Sequence, residues 1–205
     1  VVPTAAARAV LDAAELLAQT RGYNGFSYAD IAATLGVTKA GLHYHFRSKA
    51  DLGRALIERY RASFAAALNQ IDQRFREPLK KLQHYVGLYS AVMQNDRMCL
   101  CGMLAAEYAT LPAPMQAALK QFFDANERWL TGVLKAGQRA GSFGFQESPS
   151  ERARVILGSL EGAMLVARSY RDPRRFQAAA KFLLVDLGTS RHSSSFSTPT
   201  RRRRA

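Results

Sequence analysis

The chain has 205 residues, 48% of them hydrophobic, which suits one or two compact domains and excludes an intrinsically disordered chain. Its net charge of +13 divides into +2 over residues 1–60, +6 over 61–189 and +5 over 190–205, so a tail carries much of the excess and the total is only weak support for a polyanionic partner. No apolar run is long enough to cross a bilayer, Asp12 and Glu15 interrupt the apolar N-terminal stretch, and Cys99 and Cys101 would point to nearly opposite faces of a helix; a reduced, cytoplasmic setting without membrane attachment or local disulfide is expected.

Helical periodicity dominates, and no run of alternating β-branched residues suggests a strand. The spacing predicts a first helix from about Thr4 to Thr20, with Val10, Ala13, Ala14 and Leu17 on one face and Gly22 as its stop. The turn-rich RGYNGFS leads to Ser27, which caps YADIAATLG with Asp30 three residues on. Gly36 ends that helix, and Thr38 caps the next, KAGLHYHF. Ser48 caps a long helix, KADLGRALIERYRASFAAALNQIDQRF, again with an aspartate, Asp51, at the third position. Further helices are predicted from Pro78 to about Gln94, within CLCGMLAAEYATL, from about Met115 to Ala140, and over 150–170 and 174–188. The serine- and arginine-rich stretch 190–205 is expected to be a disordered basic tail. The fold class is therefore all-α, with about nine helices: an N-terminal three-helix unit over 1–47, a helical domain over 48–189, and the tail.

The two short helices joined by a glycine turn have the spacing of a helix-turn-helix. Ile31, Leu35, Val37 and Leu42 are placed to face one small core, with Ala32 at the crossing and Phe46, Val10 and Leu17 completing it. Ser27, Tyr28, Thr38, Lys39, Ala40, Gly41, His43 and Tyr44 are left to face outward, and Lys49 adds a cation on the same side. These types suit duplex DNA. Thr38 and Lys39 stand at a helix start, where backbone amides favour phosphate. Ala40 and Gly41 allow close approach to base edges or a thymine methyl, and the hydroxyls of Tyr44, Tyr28 and Ser27 reach phosphate oxygens. On spacing alone, an ordinary helical hairpin with a solvated face fits the same pattern.

The stretch from Ala9 to Tyr60 carries more. Its first helix and RGYNGFSYADIAATLGVTKAGLHYHFRSKADL resemble the DNA-binding domain of the tetracycline-repressor (TetR) family of bacterial regulators, over about a quarter of the chain. One departure is His43, where the family more often has tyrosine; Tyr44 follows it. The resemblance implies a homodimeric repressor, reading a palindromic double-stranded operator and responding to an effector bound in the second domain. Its last two helices would pair with those of a second copy. The residues agree independently: VILGSLEGAMLVA is apolar around much of its helix, and Phe176, Ala180, Leu183, Leu184 and Leu187 give the last helix a wide apolar face. Completion of a monomer core would use the same residues.

Between Tyr85 and Trp129 the apolar residues are soft and aromatic. Tyr89, Met93, Met103, Tyr108, Phe122, Phe123 and Trp129, with Met164, are candidates to line an effector cavity, and equally to form plain core. Asp96 as a helix cap would place Cys99 in a first helical turn near Arg97, a setting that lowers a thiol pKa and favours a reactive thiolate. CLCGMLAAEYATL also resembles a branch of the family that senses electrophiles or oxidants through a cysteine at this place. An inert core thiol is the alternative. Enzymatic activity is not expected, nor a metal or cofactor. His43, His45, His84 and His192 do not gather with cysteine or carboxylate at ligand spacing, and neither a nucleophile elbow nor a phosphate-binding loop occurs. A protein that coats nucleic acid non-specifically through its arginine tail is the competing reading.

Overall fold

The computed structural model describes residues 4–94 and 96–188; the expected basic tail lies outside them. Among the described residues there are nine α-helices and no strand. They are α1 (Ala5–Arg21), α2 (Tyr28–Leu35), α3 (Lys39–His45), α4 (Lys49–Arg74), α5 (Pro78–Met93), α6 (Leu100–Ala106), α7 (Ala113–Arg139), α8 (Pro149–Ser169) and α9 (Arg174–Asp186), with a 3₁₀ turn over Tyr108–Thr110. None of these helices is long and apolar enough to cross a membrane.

Local chemistry sets the N-terminal elements. The Thr4 hydroxyl accepts the Ala7 N–H and starts α1. Gly22 stops it with φ +84°, a backbone conformation that favours glycine, and a side chain there would also crowd the Glu107 carboxylate. Ser27 and Asp30 form a reciprocal capping box on α2. Gly36 adopts the left-handed conformation that closes α2 and turns the chain into α3. Thr38 and Ser48 cap α3 and α4 by accepting the N–H groups of Gly41 and Asp51.

α2 and α3 lean on each other, and α2 packs on α1. Ile31 and Leu42 are buried in a cluster that includes Val10, Leu17, Phe26 and Leu52, with Leu35 and Phe46 packed at its edge. Val37 departs from expectation: it is 47% exposed rather than part of this core. The left-handed turn at Gly36 places it at the surface, and Phe26 and Leu52 are buried in the cluster instead.

α4 joins the two halves. It touches α1 and, along its length, α5, α6 and α7. α7 is the hub of the second half, in contact with α4, α5, α6 and α8. α8 and α9 pack on each other but leave Val155, Leu165, Val166, Phe182 and Val185 exposed, and Tyr170 follows α8 in the same state.

Candidate functional site

The α2–α3 unit holds an outward surface on a buried pivot. Leu42 is fully buried, and with 3.6 residues per turn Ala40 and Tyr44 fall opposite it. Ala40, Gly41 and His43 are exposed, and Tyr44 is 86% exposed. Its ring meets that of His45 edge to face at 5.2 Å, and most of its amphipathic surface is open to solvent. Lys39 is exposed at the first position of α3, and no ion pair engages it among the described residues. The Nδ1–H of His43 donates to the Arg47 carbonyl at 3.1 Å, which fixes the ring and leaves Nε2 facing away from that bond.

Three candidates are placed differently. The Tyr28 hydroxyl donates to the Phe46 carbonyl at 2.8 Å, and its ring lies 4.6 Å from that of His43. Burial, then Asp51 and Tyr23, push its pKa up to about 12. Tyr28 is thus a brace behind α3 rather than an outward hydroxyl. Ser27 is exposed, but its hydroxyl is spent in the α2 cap, donating to Asp30 Oδ2 at 2.7 Å. Lys49 turns inward. Its ammonium donates to the carbonyls of Tyr23, at 2.5 Å, and Phe26, and lies 4.4 and 4.5 Å from the centres of their rings. Burial lowers its pKa, opposed by the charges of Glu107 and Asp30. The expected surface cation is a clamp holding the α1–α2 loop on α4, because two unpaired carbonyls and two ring faces there outcompete water. Sequence reasoning passed over Arg47, which is exposed just after α3; the run of Lys39, Arg47 and Lys49 around the short helix was the available signal.

In the second half, Phe64 sits amid Tyr60, Tyr85, Tyr89 and Phe122, with ring centres 5.3 to 6.2 Å away. Trp129 stacks on Tyr85 and donates its indole N–H to Asp72 at 2.8 Å. Tyr85 donates to the Asn126 side-chain oxygen and lies 3.0 Å from the Tyr89 hydroxyl. Tyr89, Phe122 and Trp129 are therefore one cluster, and Met164 is fully buried in the continuous core. Met93 and Met103 are half-buried at its margin, Met103 with its sulfur 3.4 Å from Arg168. Tyr108 does not join them: it lies on the 3₁₀ turn and is 42% exposed, because the helix beginning at Leu100 breaks before it.

Cys99 also departs from expectation. Asp96 has φ +53° and is not the cap of α6, which starts at Leu100 with Cys99 as its flanking residue, 1% exposed. Burial, then Glu161 and Cys101, push its thiol well above the ordinary value, and Tyr60 donates a long contact of 3.7 Å to its sulfur. The thiolate expected near Arg97 is disfavoured, first by burial and then by an acidic rather than basic neighbour. Glu161 itself has a buried Oε1 without a hydrogen-bond partner, and burial raises its pKa to about 7 against the opposing pull of the Cys99 hydrogen bond.

Between these regions runs a set of polar ties. Glu107 accepts the Tyr23 N–H at 2.6 Å and the Asn24 N–H at 3.3 Å. The Asn24 carboxamide donates to the Thr110 hydroxyl at 2.8 Å, Met98 N–H to the Gln19 carbonyl at 3.2 Å, and Arg168 to the Thr20 carbonyl. The segment around α6 is thereby fastened to the end of α1 and to the loop before α2.

Comparison with known proteins agrees with this geometry. Residues 10–56 match the family described as bacterial regulatory proteins, tetR family, and residues 78–183 match the tetracyclin repressor-like C-terminal domain. The chain is 30% identical over 155 residues to the transcriptional regulator AcuR of Cereibacter sphaeroides, covering 72% of this chain and 69% of that protein. It is 26% identical over 169 residues to the HTH-type transcriptional repressor NemR of Escherichia coli, covering 80% and 84%. The crystal structure of a TetR-family transcriptional regulator from Agrobacterium tumefaciens superposes with a TM-score of 0.86 at 31% identity, covering 89% of this chain and 97% of that one.

Proposed function

Because the chain belongs to the tetR family of bacterial regulatory proteins, we propose that it is a transcriptional repressor that binds a palindromic operator as a homodimer and is released by a small-molecule effector. The observation that carries this reading is the outward ridge of α3: a capped helix on a fully buried pivot, with Ala40, Gly41, Tyr44 and Lys39 all exposed on its far side. Lys39, Arg47 and the Tyr44 hydroxyl meet phosphate oxygens, while the small residues bring the helix backbone down to base edges.

The functional division falls at the start of α4: residues 1–47 bind DNA, residues 48–189 bind effector and partner copy, and residues 190–205 add a basic tail. The uncovered faces of α8 and α9 are the dimer surface. Val155, Val166, Phe182 and Val185 are about half exposed or more, and side chains added at Gly158 and Gly162 would meet open space, which permits close helix approach. A two-fold partner sets two copies of α3 about 34–36 Å apart, one turn of duplex. The aromatic cluster around Phe64 is the effector region, its apolar rings interrupted by the Tyr89–Tyr85–Asn126 chain and Glu161. An effector that displaces α6 pulls on the Glu107 and Arg168 ties, moves the α1–α2 loop, and alters the spacing of the two recognition helices. A coupling of about 1–3 kcal/mol changes operator affinity by roughly 5- to 150-fold.

Selection of bound sequences from random duplex DNA tests the reading. A two-fold symmetric consensus is the expected outcome. Binding of all duplexes alike, with only a steep salt dependence, would replace the repressor with a non-specific coating protein driven by the tail.

A further inference from the structure

Resting on the operator reading, we infer that α3 recognises thymine: Val37 and Ala40 pack against thymine C5-methyl groups in the major groove, and Gly41 supplies the clearance. Two features of the exposed surface have no internal explanation. Val37 is a β-branched apolar side chain left 47% exposed beside the helix start, where it contributes little to the core beneath. Gly41 lies inside a helix, where glycine is less stable than alanine. Its backbone does not need glycine, since its φ is not positive, and an added Cβ would meet only Thr38 Oγ1 at an ordinary 3.6 Å. The fold therefore tolerates alanine at position 41, and the missing methyl leaves space for something outside the chain.

What the surface lacks points the same way. Direct reading of guanine or adenine uses arginine, lysine, asparagine or glutamine, and from Val37 to Tyr44 only Lys39, at the helix start, is of these types. The Thr38 hydroxyl accepts the Gly41 N–H and keeps only its own O–H to give, and with Nδ1 donating to the Arg47 carbonyl, His43 keeps only Nε2. Lys39 is the only long cation of the stretch. The centre of the reading face is methyl and backbone. On the major-groove edge of the bases, the thymine C5-methyl is the one apolar group such a surface can select.

The test starts from the duplex selected with the full chain, resynthesised with deoxyuridine replacing thymidine one position at a time; only the methyl is lost. At one or two thymines per half-site, affinity should fall about fourfold, the worth of one buried carbon (~0.8 kcal/mol), and about 15-fold when both half-sites are changed. Val37→Ala should weaken binding to the thymine duplex and abolish the distinction at one of those positions. Gly41→Ala should weaken binding without lowering the melting temperature. A consensus whose every thymine tolerates loss of its methyl retires this inference while leaving the operator reading intact, as does a Val37→Ala protein that keeps the full thymine preference. A chain with no sequence preference retires both. Should Val37→Ala fail to fold, the deoxyuridine series on the unaltered protein decides alone.

Discussion

Replacing Glu161 with glutamine should change how stability depends on pH, and by an amount the structure bounds. The carboxyl is buried between α6 and α8 against Cys99, with one oxygen unpartnered. Its pKa rises from 4.5 to about 7. The sign follows from proton linkage. Below pH 4.5 the group is protonated in both folded and unfolded chains and has no effect. Between 4.5 and 7 the unfolded chain ionises while the folded one holds its proton, so stability falls as pH rises; above 7 the loss is complete. At ~1.4 kcal/mol per pH unit the ceiling is ~3 kcal/mol, and local rearrangement will reduce it. Cys99, Cys101, Tyr60, Tyr85 and Tyr89, the groups facing it, are all pushed upward and stay neutral across this range. Glu161→Gln keeps the shape and cannot ionise. Melting temperatures at fixed protein concentration should match best near pH 4, below the unfolded-chain pKa of 4.5. They should diverge to favour the variant at pH 8, by about 2–4 °C for each kcal/mol recovered. Parallel curves for the two proteins from pH 5 to 8 would refute the burial argument.

Other substitutions separate folding from function. Lys49→Ala should destabilise the protein by about 1–3 kcal/mol in urea titration, since it leaves the Tyr23 and Phe26 carbonyls without their donor, whereas Lys39→Ala should leave the urea midpoint unchanged and weaken operator binding in gel-shift titration. Phe182→Asp with Val166→Asp should give a folded monomer in analytical ultracentrifugation, and a dimer that survives both changes would place the partner surface elsewhere. Glu107→Gln weakens the tie to the α1–α2 loop; operator affinity without effector should shift modestly, and the effector-induced change in affinity should shrink.

The caps and turns were legible in the chain because they are local. Ser27 with Asp30, Gly36, Thr38 and Ser48 each act within four residues, so the boundaries of these N-terminal helices and the helix-turn-helix spacing follow from sequence with little error. The outward positions Lys39, Ala40, Gly41 and Tyr44 follow as well, since one buried leucine fixes the face of a short helix. What tertiary structure decided is which polar group each side chain meets across the chain. Lys49 and Tyr28 read as surface contacts until loop carbonyls and an aromatic ring far from them in sequence draw them inward. Cys99 reads as a reactive thiol until burial beside Glu161, 62 positions away, reverses the direction of its pKa. Hydrogen-bond caps span a few bonds, while desolvation and charge act through space, and only the folded arrangement of α6 and α8 sets their sign.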